Sequence, residues 1–202
     1  RDKGLASRGM VVGYDTRFAS ERFAAAVAEV LAGNDINTCL SPKAVPTPVV
    51  SYGVTRQKAA GAVIITASHN PGQWNGFKIK SPDGSSAPTQ VEAEVESRLP
   101  QIMAQDRIKR VDLEEGLARG TIRYLDLAPA YFEHIAKLVD IQSLRQSGLK
   151  ITVDSMFGAG SGYFKGILQG SKTEVIEING ERNPIFPGIQ PEPIARHLTK
   201  LS

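Results

Sequence analysis

The stretch Gly61-Ala62-Val63-Ile64-Ile65-Thr66 is apolar until its last residue. A short continuous run of this kind, rich in β-branched side chains and bounded by turn-forming neighbours, reads as a strand covered on both faces. Strands buried on both faces occur in sheets with helices packed on either side, so the run predicts an α/β protein. It leads into a polar turn, Ala67-Ser68-His69-Asn70-Pro71-Gly72, and then into a second extended run from about Gly76 to Lys80. Pro82-Asp83-Gly84 closes that run as a turn.

The pattern repeats outward from this centre. Met10 to Tyr14 is a short apolar strand ended by Asp15-Thr16. Ser20 is placed to cap a helix whose apolar positions Phe23, Ala24, Val27, Val30 and Leu31 recur at helical spacing up to Gly33-Asn34. Ile36 to Leu40 reads as a strand, and Thr47-Pro48 opens a helix running to about Lys58. Beyond the turn, Val91 to about Ile102 predicts an exposed amphipathic helix, with Glu92, Glu94 and Glu96 on a solvated face. Ala130 to Val139 is helical, and Gly148 breaks the pattern. Lys150 to Asp154 predicts a second buried strand, followed by a helix from about Gly160 to Leu168 and a strand from Glu174 to Ile178. The segment from Asn183 to Pro193 is rich in proline and glycine and reads as an ordered loop. Val12 to Leu40 and Ile151 to Ile178 echo one another as strand, Asp, turn, helix, glycine, strand. The expectation is α/β/α layering around a mixed, mostly parallel sheet: a first domain over 1–125, a connecting helical segment over 126–148, and the start of a second, similar domain over 149–202.

Composition narrows the function classes. The 202 residues are 41% hydrophobic and 22% charged, enough apolar side chain for a packed core rather than a disordered chain. A formal charge of +3 without a Lys/Arg stripe or interleaved aromatic residues gives no nucleic-acid face. No apolar stretch approaches the roughly 20 residues of a membrane helix. The single cysteine, Cys39, excludes an internal disulfide and a cysteine zinc cluster; it reads as a small core residue and fits a cytoplasmic setting. The opening Arg1-Asp2-Lys3-Gly4 is neither a signal peptide nor a translation start, so the chain is expected to be part of a longer protein.

The chemistry is concentrated after Thr66. A loop leaving the carboxyl end of a buried strand lies where open α/β sheets bind ligands. Ser68 supplies an oxygen nucleophile there, His69 and Asn70 supply polar partners, and Gly72 allows backbone N–H groups close to an anion. Lys78 returns a cation to the same end of the sheet. The set suits phosphate handling. A serine in a polar loop is also an ordinary turn residue, and the residues alone do not separate the two readings. Other features read blandly. Gly158-Ala159-Gly160-Ser161-Gly162 departs from the dinucleotide fingerprint, with Tyr163 at the third-glycine position. No P-loop and no GxSxG elbow is present. His134 and His197 have no metal-ligand spacing with His69 and read as structural or solvated. Trp74 reads as a partly buried loop anchor, with sugar stacking as the alternative, and Asp154 as a cap for the turn after it.

Thr66-Ala67-Ser68-His69-Asn70-Pro71, followed by Asn75-Gly76-Phe77-Lys78, resembles the active-site serine loop of the α-D-phosphohexomutases, the family of phosphoglucomutases and phosphomannomutases. Three further segments resemble that family in order and spacing: Gly13 to Arg17, Val153 to Gly160, and Asn183 to Gly188 with Pro191-Glu192-Pro193. The resemblance implies that Ser68 carries a phosphoryl group to and from a hexose phosphate through a bisphosphorylated sugar, with hexose 1,6-bisphosphate as activator. It implies that Lys78 acts as acid or base near the sugar hydroxyl, which requires a neighbouring charge or burial to lower a lysine's pKa. His69 and Asn70 would position the phosphate or hydroxyl, and Arg17 would hold the serine loop or its charge. The phosphate on Ser68 would also be one ligand of Mg2+, an ion suited to oxygen ligands. The family's Asp-x-Asp-x-Asp-Arg metal loop is not in this sequence, and neither are its sugar-selecting and phosphate-binding segments. The expectation is the donor part of a mutase that has no turnover by itself and needs its missing carboxyl-terminal domains. Glucose and mannose phosphates are expected ahead of N-acetylglucosamine phosphate. A non-catalytic phosphosugar-binding paralogue is the alternative.

Overall fold

The computed structural model describes residues 4–105 and 108–201. The first sheet is built from β1 (Met10–Tyr14), β2 (Thr38–Leu40), β3 (Ala62–Ile65), β4 (Phe77–Lys80) and β5 (Ile122–Tyr124) in the spatial order β4-β3-β1-β2-β5. The β1–β2, β1–β3 and β2–β5 pairs are parallel, and β3–β4 is antiparallel. The sheet is therefore mixed and mostly parallel, as the sequence predicts.

Helices cover both faces. Successive strand residues point to opposite sides, so Val11 and Ile64 face one layer while Val12, Val63 and Ile65 face the other. On the first side α2 (Thr47–Gln57) packs Val49, Val50 and Val54 against the sheet. On the second side α1 (Ser20–Gly33) contributes Ala24, Ala28 and Ala32. All four residues of β3 are buried. Gly13 is required where α2 crosses β1, because a Cβ there would lie 2.5 Å from Cγ2 of Val50.

α3 (Thr89–Gln105) buries no residue, and Glu92, Glu94 and Glu96 are exposed on it. α4 (Leu113–Ala118) and β5 follow, two elements that the sequence reading missed. Glu29, almost buried on α1, draws them in: it accepts from Nε of Arg110 at 2.6 Å and from the Leu113 N–H at 3.1 Å.

After α5 (Ala128–Leu138) and α6 (Ile141–Gln146), the second unit pairs β6 (Lys150–Asp154) with β7 (Glu174–Ile178) in parallel, joined by α7 (Tyr163–Ile167). The echo between the two halves is therefore a shared strand, helix, parallel-strand connection. β6 was expected to be buried, yet none of its residues is. The described residues give this sheet two strands, so its faces are only partly covered. α7 is also shorter than expected, because Gly162 in the left-handed region (φ 80°) delays its start. Ser20 does not cap α1. Ala19 occupies the cap at φ 58°, and the Ser20 hydroxyl bonds Asp15 instead. No helix among the described residues is long and apolar enough to cross a membrane.

Ile64 is 1% exposed and joins β3 to the α2 layer. Ile64→Ala should destabilise the chain by about 2–5 kcal/mol in chemical denaturation, whereas Glu92→Ala on the solvated face of α3 should change stability by no more than about 0.5 kcal/mol.

Candidate active site

β3 ends at Ile65, and the chain turns over Thr66 and Ala67 to bring Ser68 to the carboxyl edge of the sheet. The Ser68 N–H donates to Thr66 Oγ1 at 3.1 Å, and the Asn70 N–H donates to the Ala67 carbonyl at 3.0 Å. Ser68 lies in the left-handed region at φ 57°. A serine held there stores strain of about 1–3 kcal/mol, which persists only where the surroundings fix the turn. Ser68 and His69 are exposed, and Ser68 Oγ lies 3.3 Å from His69 Nδ1. Both line a cleft of about 470 Å³. Its walls come from the Asp15–Arg17 turn after β1, from Val45–Thr47 at the start of α2, and from Ser155, Met156, Gly158–Gly160 and Phe186 of the second unit.

The turn is fixed by Arg17, which is 1% exposed. Its guanidinium presents five N–H donors in a planar fork, and all five find acceptors. Nε bonds Asp15 Oδ2 at 3.1 Å. Nη1 bonds the carbonyls of Pro71 at 2.7 Å and Trp74 at 3.1 Å. Nη2 bonds those of Ser68 at 2.9 Å and Asn70 at 2.6 Å. Asp15 is oriented in turn by the Arg17 N–H at 3.0 Å and the Ser20 hydroxyl at 2.9 Å. Asn75 ties down the far end of the loop by donating to the Phe18 carbonyl at 3.0 Å.

The structure thus gathers Arg17, Ser68 and His69 at one cleft. Asn70 is exposed beside them and contributes its backbone carbonyl to Arg17. Lys78 stands opposite Ile64 in the β3–β4 ladder, at the same end of the sheet, exposed and outside the cleft lining. Trp74 is 59% exposed, so its ring is not the partly buried anchor expected; its carbonyl is the anchoring group. Asp154 caps its turn as expected, accepting from the Met156 N–H at 2.9 Å. His134 stacks on Tyr52 with ring centroids 4.4 Å apart, and the ring of His197 meets Arg196, so neither approaches the cleft. Sequence reasoning gave no role to Asp15, Thr66 or Asn75. Asp15 and Thr66 act on partners two to five residues away, whereas Asn75 bonds Phe18 across 57 residues, a contact for which local pattern carries no signal.

Two groups near the cleft titrate away from their ordinary values. Burial, with the Glu21 carboxylate second, raises the Tyr14 phenol. For Glu177, burial opposes ionisation, but hydrogen bonds from Ser155 and the Gly162 N–H, with the Lys165 charge, outweigh it and lower its pKa. Glu177 thereby holds the Ser155 turn, accepting from its hydroxyl at 2.5 Å. Among the described residues no group of three or more His, Cys, Asp or Glu stands together to hold a metal ion. The side chains present therefore do not by themselves make a magnesium site.

Arg17→Lys keeps a buried cation but cannot reproduce the fork, leaving some of the four loop carbonyls and Asp15 without their donor. It should destabilise the chain by about 3 kcal/mol or more in denaturant titrations. A lowered carboxyl pKa in the folded state gives stability that is full above the ordinary value of 4.5 and lost as pH falls through the folded value. Glu177→Gln should accordingly flatten part of the acid-side fall in stability measured against the parent.

The same arrangement of strands and turns is found in known proteins. Family models for phosphoglucomutase/phosphomannomutase α/β/α domain I and domain II match residues 2–106 and 129–202. A protein described as a probable phosphoglucosamine mutase in Methanothermobacter thermautotrophicus is 34% identical over 194 residues, covering 95% of this chain and 40% of the relative. A phosphoglucomutase of Komagataeibacter xylinus is 30% identical over 195 residues, covering 91% of this chain and 35% of the relative. A Thermus thermophilus structure assigned as a phosphomannomutase superposes with a TM-score of 0.82 at 36% identity, covering 99% of this chain and 43% of that one. The Paramecium pp63/parafusin structure shares the fold, with a TM-score of 0.81 at 21% identity, covering 100% of this chain and 41% of that one. The chain spans 40% and 35% of the length of the two relatives named here. Two domain models that together match most of its residues place this chain in the phosphoglucomutase/phosphomannomutase family.

Proposed function

We propose that the protein transfers a phosphoryl group between two hydroxyls of a hexose phosphate, with Ser68 as the residue that carries the group. The observation that supports this most strongly is the exposed Ser68 hydroxyl, held in a left-handed turn at the mouth of a cleft by a fully engaged buried arginine. Transfer at such a site is largely a matter of positioning and charge stabilisation. In the forward step the P–Oγ bond of phosphorylated Ser68 breaks, a P–O bond to a sugar hydroxyl forms, and the proton lost by that hydroxyl is balanced by one gained at Ser68 Oγ, which is left as a free hydroxyl. The return step reverses this at the sugar's other phosphate and restores phosphoserine. His69 Nδ1, 3.3 Å from Ser68 Oγ, is the nearest group to exchange a proton with the serine oxygen. In this reading Lys78 serves the sugar hydroxyl from the edge of the sheet, Asn70 contacts the phosphoryl oxygens, and hexose 1,6-bisphosphate is the priming compound.

Magnesium belongs to the proposal only through oxygens that the described side chains do not provide, and no step above is routed through it. The 202-residue chain alone is proposed to lack turnover, since the cleft has its serine but, among the described residues, no assembled metal donors. The relatives carry names for glucose, mannose and glucosamine phosphates, so the substrate is assigned as a hexose phosphate without a choice of sugar. The proposed setting is the cytoplasm, where Cys39 is a free thiol.

The test is phosphopeptide mapping of the full-length protein after incubation with magnesium and a hexose 1,6-bisphosphate. Phosphate should appear on Ser68, and Ser68→Ala should lose both that phosphate and mutase turnover by at least about 10³-fold. An unmodified Ser68 in folded protein would favour a phosphosugar-binding protein without catalysis.

A further inference from the structure

The Ser68 loop is built by the first unit, yet the second unit touches it and the turn that supports it at several points. The Thr16 hydroxyl, buried at 6% exposure, donates to the Phe157 carbonyl at 2.7 Å, fastening the Asp15–Arg17 turn to the turn after β6. Met156 and Phe157 both hold positive φ, at 48° and 58°, which aims that carbonyl back across the cleft. Arg182 donates to the carbonyls of Thr16 and Arg17, each at 3.2 Å, and pairs with Glu21 at 2.7 Å. The buried Phe186 ring lies 5.4 Å from the Arg17 guanidinium carbon, a cation–π contact on the group that holds the loop. The same ring reaches the loop itself: a Cβ on Gly72 would lie 2.9 Å from Phe186 Cδ2, so glycine is what lets it dock. Gln190 Nε2 donates to the His69 carbonyl at 3.2 Å, beside Ser68.

We infer that the segment 182–190, with the Thr16–Phe157 bond, is the positioning clamp of the Ser68 loop, so that the geometry of the phosphoryl step depends on contact between the two units. Arg17 fixes the loop from below through its carbonyls. The clamp closes it from the side, at Arg17, Gly72 and His69. Arg182, Phe186 and Gln190 are positioning residues here, since none meets the Ser68 hydroxyl. The kinetic part of the inference rests on the reading of Ser68 as phosphoryl carrier, and the structural part does not. Any change that parts the two units would loosen the serine loop without touching its own residues.

Two kinds of variant test this. Arg182→Gln/Gln190→Ala alters side chains outside both core clusters and should hold Tm within about 2 °C. Thr16→Val removes one buried hydroxyl at constant shape, and Thr16→Ser restores it. Hydrogen exchange in the 202-residue chain should speed up at amides of 67–74 by about tenfold in the double variant and in Thr16→Val, stay unchanged in β1, and recover in Thr16→Ser. In the full-length protein the double variant should lower kcat by about tenfold with KM nearly constant, because only the approach geometry is lost. Unchanged exchange in the loop overturns the clamp whatever the kinetics show. Loosened exchange with unchanged kcat in an active parent overturns its link to the reaction. A parent that takes no phosphate on Ser68 overturns the carrier reading and the kinetic link with it, while the exchange result still decides the clamp.

Discussion

A single buried guanidinium sets the position of everything else at the cleft. Arg17 sits at the carboxyl end of β1 and directs four of its five N–H groups at carbonyl oxygens between Ser68 and Trp74. A loop of seven residues would ordinarily sample many conformations, at roughly 1–2 kcal/mol of backbone entropy per residue ordered. Here charge-assisted hydrogen bonds, each about twice as strong as a neutral one, offset that cost. Asp15 supplies the counter-charge, so the guanidinium is both paired and fully hydrogen-bonded, the condition under which a buried charge is tolerated. The strained Ser68 turn is then a consequence of the fork, because the loop must present its carbonyls inward and its serine side chain outward.

The sheet explains why this arrangement is rigid. β1 and β3 are parallel neighbours with Tyr14 opposite Ile65, so the Asp15–Arg17 turn and the serine loop leave the same edge side by side. Both strands are anchored in two apolar layers, one on each face. The cleft opens where the two loops diverge, and its other wall is the turn of the second unit, held by Glu177 and by its own left-handed residues. Fold, loop and cleft thus form one chain of dependence, from buried strands to adjacent turns to a presented hydroxyl.

Much of this is legible in the amino-acid sequence. The apolar run 61–66 is buried throughout and its middle, Ala62–Ile65, is β3, as its continuous β-branched pattern predicts, and the alternation of strands and helices fixed the layers. Elements missed were those whose partners are distant: β5 is three residues long and forms because Leu40 and its neighbours in β2 await a parallel strand. The burial expected for β6 failed because a sequence pattern reports what a strand is suited to, not whether a covering layer is present. At the site, Ser68, His69 and Arg17 were named from the sequence, but the four loop carbonyls that Arg17 binds were not. A carbonyl oxygen has no residue identity, so bonds from a side chain to distant backbone leave no trace in composition or spacing. The exposure of Trp74 was missed for the same reason: its anchoring group is its backbone, while its ring is free to face solvent.

Arg17 holds the serine loop as a fixed frame from which Ser68 presents its oxygen. The most direct measurement is a crystal structure of the full-length protein with Ser68 phosphorylated. There Ser68 should keep a positive φ and the carbonyls of Ser68, Asn70, Pro71 and Trp74 should remain hydrogen-bonded to Arg17, with the phosphate projecting into the cleft. A loop that has turned over, or an Arg17 that has left those carbonyls to bind the phosphate, would contradict it.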